Sequence, residues 1–206
     1  MELKYRELKA EIEAAVHERF KQSPKRLAHV LSVAKTAKSF TKHYIDDKEL
    51  AQKAYLTGLL HDWNKFISLD EQKELIVNYK LAPLGIEEEE LLKYPQILHA
   101  YTGAHSVKER WPQLSEDIIS AIRVHSIPSK IMSDLDKIIF CADLLEPKRG
   151  VKELDEIRAS FQSSDLDELY RACLAQTLVH LIKHNRPVLI YAVEAWNELA
   201  RAMEKK

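Results

Sequence analysis

Apolar residues return every three or four positions along almost the whole chain, while stretches that alternate polar and apolar are scarce. The first spacing turns one stripe of an α-helix toward a core, whereas alternation would mark strands. The pattern therefore predicts an all-α fold, a compact multi-helix bundle. Helix starts are marked by Ser23 before Pro24, Ser68 with Glu71 three residues on, Ser115 before the run Glu116 to Ser126, Ser133 before Asp134, and Ser164 before Asp165. Short oxygen-bearing side chains at these points accept from the open N–H groups of a first turn. Breaks fall at Pro83 to Gly85, Tyr94-Pro95, Trp111-Pro112, Ile127-Pro128, Pro147 to Gly150 and Arg186-Pro187, where proline and the residue before it resist helical geometry. Roughly eight to ten helices with short loops lie between these marks. No repeat or low-complexity tract interrupts them, and the acidic run Glu87 to Glu90 reads as a solvated helix face.

A length of 206 residues suits one domain spanning 1–206, large enough to bury a substantial core. With hydrophobic residues at 46% and charged residues at 31%, the chain has the composition of an ordinary globular protein. A formal net charge of −1 gives no general field to recruit nucleic acid or an anionic membrane, so neither is expected as a partner. Any anionic ligand must be met by a local cluster. Cys141 and Cys173 sit in apolar stretches, as small core residues do, which suits a reducing compartment. The segment Met1 to Phe20 is charged and lacks an apolar leader, and no run is long enough to span a bilayer. These features predict a cytoplasmic protein.

Candidate chemistry begins at His61-Asp62, which follows the apolar stretch Ala54 to Leu60 and should project from the end of a buried helix. A His-Asp pair is common by chance and needs context. Three further histidines supply it: His29 within Leu27 to Leu31, His99 after Ile97-Leu98, and His125 after Ile122 to Val124. Singly, each is more often a hydrogen-bonded core residue than a ligand. Asp143 interrupts the apolar run from Ile138 to Leu145, where an unpaired carboxylate is expensive. It needs a cation, either a metal or a base such as Lys137 or Arg149. Imidazole and carboxylate donors together suit iron, manganese, cobalt or zinc rather than magnesium or calcium. Six dispersed ligands fit two ions better than one.

In this order, His29, His61-Asp62, His99, His125 and Asp143 resemble the HD superfamily of metal-dependent phosphohydrolases, in its two-metal variant. Arg26 to His29 with Val33-Ala34, then Gly58 to Asp62 with Lys65, are similar to the YqeK family of symmetrical diadenosine tetraphosphate hydrolases. So are Leu98-His99 with Gly103-Ala104, Ala121 to His125, Asp136 to Phe140 leading to Ala142-Asp143 and Glu146-Pro147, and the closing Val193 to Asn197. The likeness runs from about Lys25 to Leu199. It departs where Lys148-Arg149 replaces the family's Gly-Arg and where Ala100-Tyr101 replaces Gly-Pro.

The resemblance implies an HD-domain bundle holding two transition-metal ions, iron first among them, with manganese, cobalt or zinc as alternatives. One ion would be held by His29, His61, Asp62 and Asp143, the other by Asp62, His99 and His125. A hydroxide activated by both would cleave a dinucleoside polyphosphate, diadenosine tetraphosphate above all, to ADP, or to GDP from a guanosine substrate. Asp62 and Lys65 take the catalytic roles, and Arg26, Lys65, His99 and Arg149 are the expected substrate contacts. By analogy alone the chain forms a homodimer. Alternatives are another HD phosphohydrolase, acting on deoxynucleotides, cyclic nucleotides or guanosine alarmones, and a nucleotide sensor that binds without cleaving. Five histidines are expected outside the centre: His180 and His184 as a structural i, i+4 pair near a helix end, His105 as a partly exposed helix residue, and His17 and His43 at the surface.

Overall fold

The structure, a computed structural model, describes residues 2–203, with side chains described for residues 5–202. It consists of α1 (Glu2–Arg19), α2 (Pro24–Tyr44), α3 (Lys48–Leu60), α4 (Leu69–Tyr79), α5 (Glu88–Leu91), α6 (Leu98–Arg110), α7 (Glu116–Val124), α8 (Asp134–Leu145), α9 (Asp155–Ser160), α10 (Leu166–Lys183) and α11 (Ile190–Met203). Short 3-10 turns at Pro147–Arg149 and Lys152–Leu154 join α8 to α9, and no strand occurs among the described residues. The fold is all-α, and the six expected breaks all fall between α-helices. Among the described residues there are eleven α-helices where the periodicity predicts eight to ten, because α5 and α9 have only 4 and 6 residues. A single turn is too short to show a period.

Local chemistry sets the boundaries. Ser68 with Glu71 and Ser133 with Asp136 form capping boxes that satisfy N–H groups at both ends of the first turn. At α10 the cap lies one residue later than expected: Asp165 accepts from the Glu168 N–H in a box of its own, while the Ser164 hydroxyl meets Tyr44. Ser23 and Ser115 hold cap positions without a side-chain bond to the helix backbone, and the Ser115 hydroxyl donates to the Asp117 carboxylate in the first turn instead.

The largest core gathers Val30, Val33 and Ala34 of α2 with Leu59 and Leu60 of α3, and Ile122 of α7 with Ile138 and Ile139 of α8. Each such side chain contributes about 1.5–3 kcal/mol when fully buried. Cys141 and Cys173 are free thiols buried in the same core. The approach of α2 to α3 depends on Gly58, since a Cβ there would lie 2.6 Å from Ala34 Cα and 2.8 Å from Ala34 N. A smaller cluster of Ile76, Leu91, Ile97, Leu98, Tyr101, Ile127 and Leu189 packs beside the main core. It fixes the start of α6 and the segment after α7, the two places that carry His99 and His125.

Candidate metal centre

His29 lies on α2, and His61 and Asp62 form the turn that leaves α3. His99 is in the first turn of α6, His125 caps the C-terminal end of α7, and Asp143 occupies the last turn of α8. The turn bearing Asp62 is pinned from α1, where the Arg19 guanidinium donates to the Trp63 carbonyl and to Asn64 Oδ1. Trp63 packs edge-on against Trp111 at 5.1 Å, and Asn64 Nδ2 donates to the Ser106 hydroxyl.

These six residues meet in one place, and Asp62 straddles it. Its Oδ2 is 3.7 Å from His29 Nε2 and 3.6 Å from His61 Nε2, while Oδ1 is 3.2 Å from His99 Nε2 and 3.8 Å from His125 Nε2. Asp143 Oδ1 lies 3.1 Å from His29 Nε2 and 3.6 Å from His61 Nε2. Donor atoms of His29, His61 and Asp143, and again those of His61, Asp62 and His125, fall within 4.8 Å of one another. His99 adjoins the second set through Asp62 and through His125 Nε2, 3.2 Å away. The two triads thus have His61 in common, and Asp62 turns one oxygen to each side.

Three of the imidazoles are oriented from behind. Nδ1 of His61 faces the Gly58 carbonyl at 2.8 Å, Nδ1 of His125 the Ile122 carbonyl at 2.6 Å, and Nδ1 of His29 the Glu146 carboxylate at 3.0 Å. Facing pure acceptors, each Nδ1 donates, which in the neutral ring leaves the lone pair on Nε2, aimed at the centre. His61 Nε2 is fully buried and has no hydrogen-bond partner among the described residues. A buried unpaired nitrogen is costly, and here its neighbours are carboxylates and other imidazoles. A cation satisfies it, so the residues fit a metal, and the mixture of nitrogen and oxygen donors suits a transition metal.

The electrostatics favour electron-pair donors. Burial pushes the Asp62 and Asp143 carboxyls up, but His61 and His99 hold Asp62 well below its ordinary value, and Arg149, His29 and His61 do the same for Asp143. Both remain ionised. Burial pushes His125 down to about 3, with His61 and His99 adding to the effect. His99 is also lowered by burial and by Lys65, against the pull of Asp62. His61 moves the other way: burial opposes its charge, but Asp62 and Asp143 outweigh it. Lys65 is lowered by burial, despite the opposing pull of Asp62.

Two clefts open on either side of this cluster. One, of about 550 Å³, is rimmed by the cations Lys25, Arg26, Lys65, Lys148 and Arg149. The other, of about 310 Å³, has a mainly apolar wall. Lys65, His99, His125, Ser126, Asp143 and Arg149 line both and form the partition between them.

The expected substrate contacts are turned onto the ligand set. Arg26 bonds Asp62 Oδ2, Arg149 bonds Asp143 Oδ1, and Lys65 Nζ stands 3.2 Å from both His99 ring nitrogens. Of the two bases weighed as partners for Asp143, Arg149 is the one that meets it; Lys137 pairs with Asp167 and Asp134 instead. Lys148 offers its backbone N–H to Glu146 Oε2 at 2.8 Å, an interaction any residue supplies, so its side chain adds a cation to the cleft without disturbing the turn. Tyr101 is buried in the smaller core and lines neither cleft. His17, His43 and His184 are exposed, and His105 is half-buried against Tyr79. His180 is exposed but stands at the edge of the apolar cleft.

Two residues escaped the sequence argument. Glu146, 1% exposed, orients His29; its signal was an acid one helical turn beyond Asp143, directly after apolar Leu144-Leu145. The Ser126 hydroxyl lies 3.2 Å from His99 Nε2 and 3.0 Å from His125 Nε2, and nothing in the sequence marks it.

Helix ends here bring histidines and aspartates together in a helical bundle, and residues 26–148 match the model of the HD domain; the chain belongs to that family. Within it, the chain is similar to the symmetrical bis(5'-nucleosyl)-tetraphosphatase of Halalkalibacterium halodurans, 34% identical over 175 residues, 84% of this chain and 88% of the relative. The protein of the same name from Bacillus subtilis is 31% identical over 163 residues, 79% of this chain and 83% of the relative. The fold matches a crystal structure from Clostridium acetobutylicum, described as a predicted HD superfamily hydrolase involved in NAD metabolism. The TM-score is 0.81 at 28% identity, covering 96% of this chain and 97% of the other. No helix among the described residues is long and apolar enough to cross a membrane.

Proposed function

We propose that the chain is a symmetrical bis(5'-nucleosyl)-tetraphosphatase that holds two transition-metal ions, iron first among them, and cleaves diadenosine tetraphosphate to two ADP. The observation that carries this is the Asp62 carboxylate, which presents one oxygen to His29 and His61 and the other to His99 and His125. Ions bound on its two sides would activate water and polarise a phosphate, the chemistry that two-metal sites supply. Arg26, Lys65 and Arg149 bring fixed positive charge to phosphate oxygens, with Lys148 behind them. The bond that breaks is set by which phosphorus these cations hold at the centre. Anchoring one nucleoside diphosphate half puts its terminal phosphorus there, and the other half leaves as ADP. The names of the bacterial relatives agree with this outcome.

Elemental analysis of the purified protein, followed by chromatography of the products after brief incubation with diadenosine tetraphosphate and each candidate metal, tests the proposal. Two ADP per substrate are expected. Equal AMP and ATP, or no turnover beside rapid cleavage of a cyclic or deoxynucleotide substrate, would overturn it. Tight nucleotide binding by metal-loaded protein without turnover would instead make the chain a sensor.

A further inference from the structure

The apolar cleft has no role in the chemistry just described, yet it begins where that chemistry ends. Lys65, His99 and Arg149 line both clefts, so a phosphate held by them would have this space open to its next group. Ile97, Ile127, Phe140, Leu144, Leu154 and Leu181 surround that space. Its volume of about 310 Å³ is at the lower end of the range for small-molecule sites, roughly 300–1,000 Å³. Apolar walls suit the faces of a purine but cannot read its edge.

Two carboxamides in the cleft can, those of Gln96 and Gln176, and Gln96 is exposed to solvent at its rim. Gln176 of α10 is half-buried and lines the cavity, and its carboxamide has no hydrogen-bond partner among the described residues. Neighbouring Thr177 already donates its hydroxyl to the Cys173 carbonyl at 2.9 Å, so Gln176 is the half-buried side chain of this wall that keeps a free donor and a free acceptor. We infer that this cleft holds one purine base of the substrate and that Gln176 pairs with the base edge. A carboxamide offers one donor and one acceptor. It matches adenine, which presents the N6 amine beside a ring acceptor, and after a half-turn it matches guanine, which presents O6 beside N1–H. The same residue therefore accepts both purines, and base tolerance is built into it.

This inference rests on the proposed activity, and the test separates the two. Gln176→Glu keeps the size of the side chain but leaves only acceptors, which suit the N1–H and N2 amine of guanine and oppose the ring nitrogen of adenine. Relative to the unaltered protein, Gln176→Glu should shift the kcat/KM ratio of diguanosine over diadenosine tetraphosphate at least about tenfold toward guanine, chiefly through KM. Gln176→Leu should weaken both substrates with little change in their ratio. Cleavage of bis(4-nitrophenyl) phosphate, which has no purine, should be unchanged in both variants. Calorimetric titration with ADP and GDP should show the same reversal without requiring turnover. An unaltered ratio in Gln176→Glu, in kinetics and in binding, overturns the inference while the hydrolase assignment stands. If the unaltered protein cleaves no dinucleoside tetraphosphate, the assignment fails, and the ADP and GDP titrations still decide the role of Gln176.

Discussion

Replacing Gly58 with alanine should weaken the fold and the centre together. The new methyl would sit 2.6 Å from Ala34 Cα and 2.8 Å from Ala34 N, and both are backbone atoms that no rotamer change can move. Reaching an ordinary contact of 3.4 Å requires α2 and α3 to part by about 0.8 Å. Overpacking of this kind costs about 1–3 kcal/mol, and the upper end applies because the obstacle is main chain. Alanine returns up to about 1 kcal/mol through its better helix propensity. The expected net loss is about 2 kcal/mol, or roughly 1 M in the urea midpoint at a slope of about 2 kcal/mol/M. Because α2 carries His29 and α3 leads into His61, the same displacement misplaces donors by nearly an ångström, enough for a loss on the order of 100-fold in activity. Gly103→Ala is the matched control. Its methyl would meet nothing nearer than Asn64 N at 3.7 Å, so stability should hold or rise by up to about 1 kcal/mol, with activity retained. A midpoint for Gly58→Ala at or above that of the unaltered protein would refute the reasoning.

Two other changes probe the surroundings of the centre. Glu146→Gln keeps the shape behind His29 but removes the carboxylate that receives its Nδ1–H; metal affinity should fall about 10–100-fold with the far-UV spectrum unchanged. Equal affinity in a competition titration would dismiss the orienting role. Asp117→Asn tests stability against pH: burial pushes this carboxyl up, but hydrogen bonds from Lys53 and Ser115 prevail and hold it below its ordinary value. A lowered folded value means the pair stabilises at neutral pH and loses that contribution as pH falls through the folded value. Since the Asp117 side chain is 37% exposed, the difference at pH 7 should be only about 0.5 kcal/mol, and it should vanish in acid once the carboxyl is protonated in the folded protein. A gap of the same size at both ends would count against the ion pair.

The sequence displayed those features whose chemistry is local. Pro83, Pro95, Pro112, Pro128 and Pro187 stop helices by their own geometry, and each stands in a connection. His29, His61, Asp62, His99, His125 and Asp143 could be singled out because polar groups are expensive in apolar helices, and they lie together although five helices supply them. Partnership was harder to read. Arg149, six residues from Asp143, could be named as its partner, but that Arg26 grips Asp62, or that α10 sends Gln176 to a cleft beside α6 and α8, depends on how helices distant in sequence lie against one another. Glu146 lay between these cases, an acid in apolar company whose partner is 117 positions away.

The partition between the clefts makes the two ends of a substrate unequal. Diadenosine tetraphosphate reads the same in both directions, and so its products cannot reveal which end entered the apolar side. A tetraphosphate bearing adenosine at one end and guanosine at the other hides its direction too, since a central cut gives ADP and GDP either way. A fifth phosphate breaks the disguise. If the cut falls two phosphates from the housed base, housing adenine releases ADP with GTP, and housing guanine releases GDP with ATP. The proportion of these two pairs would count, molecule by molecule, which way round each substrate was taken in.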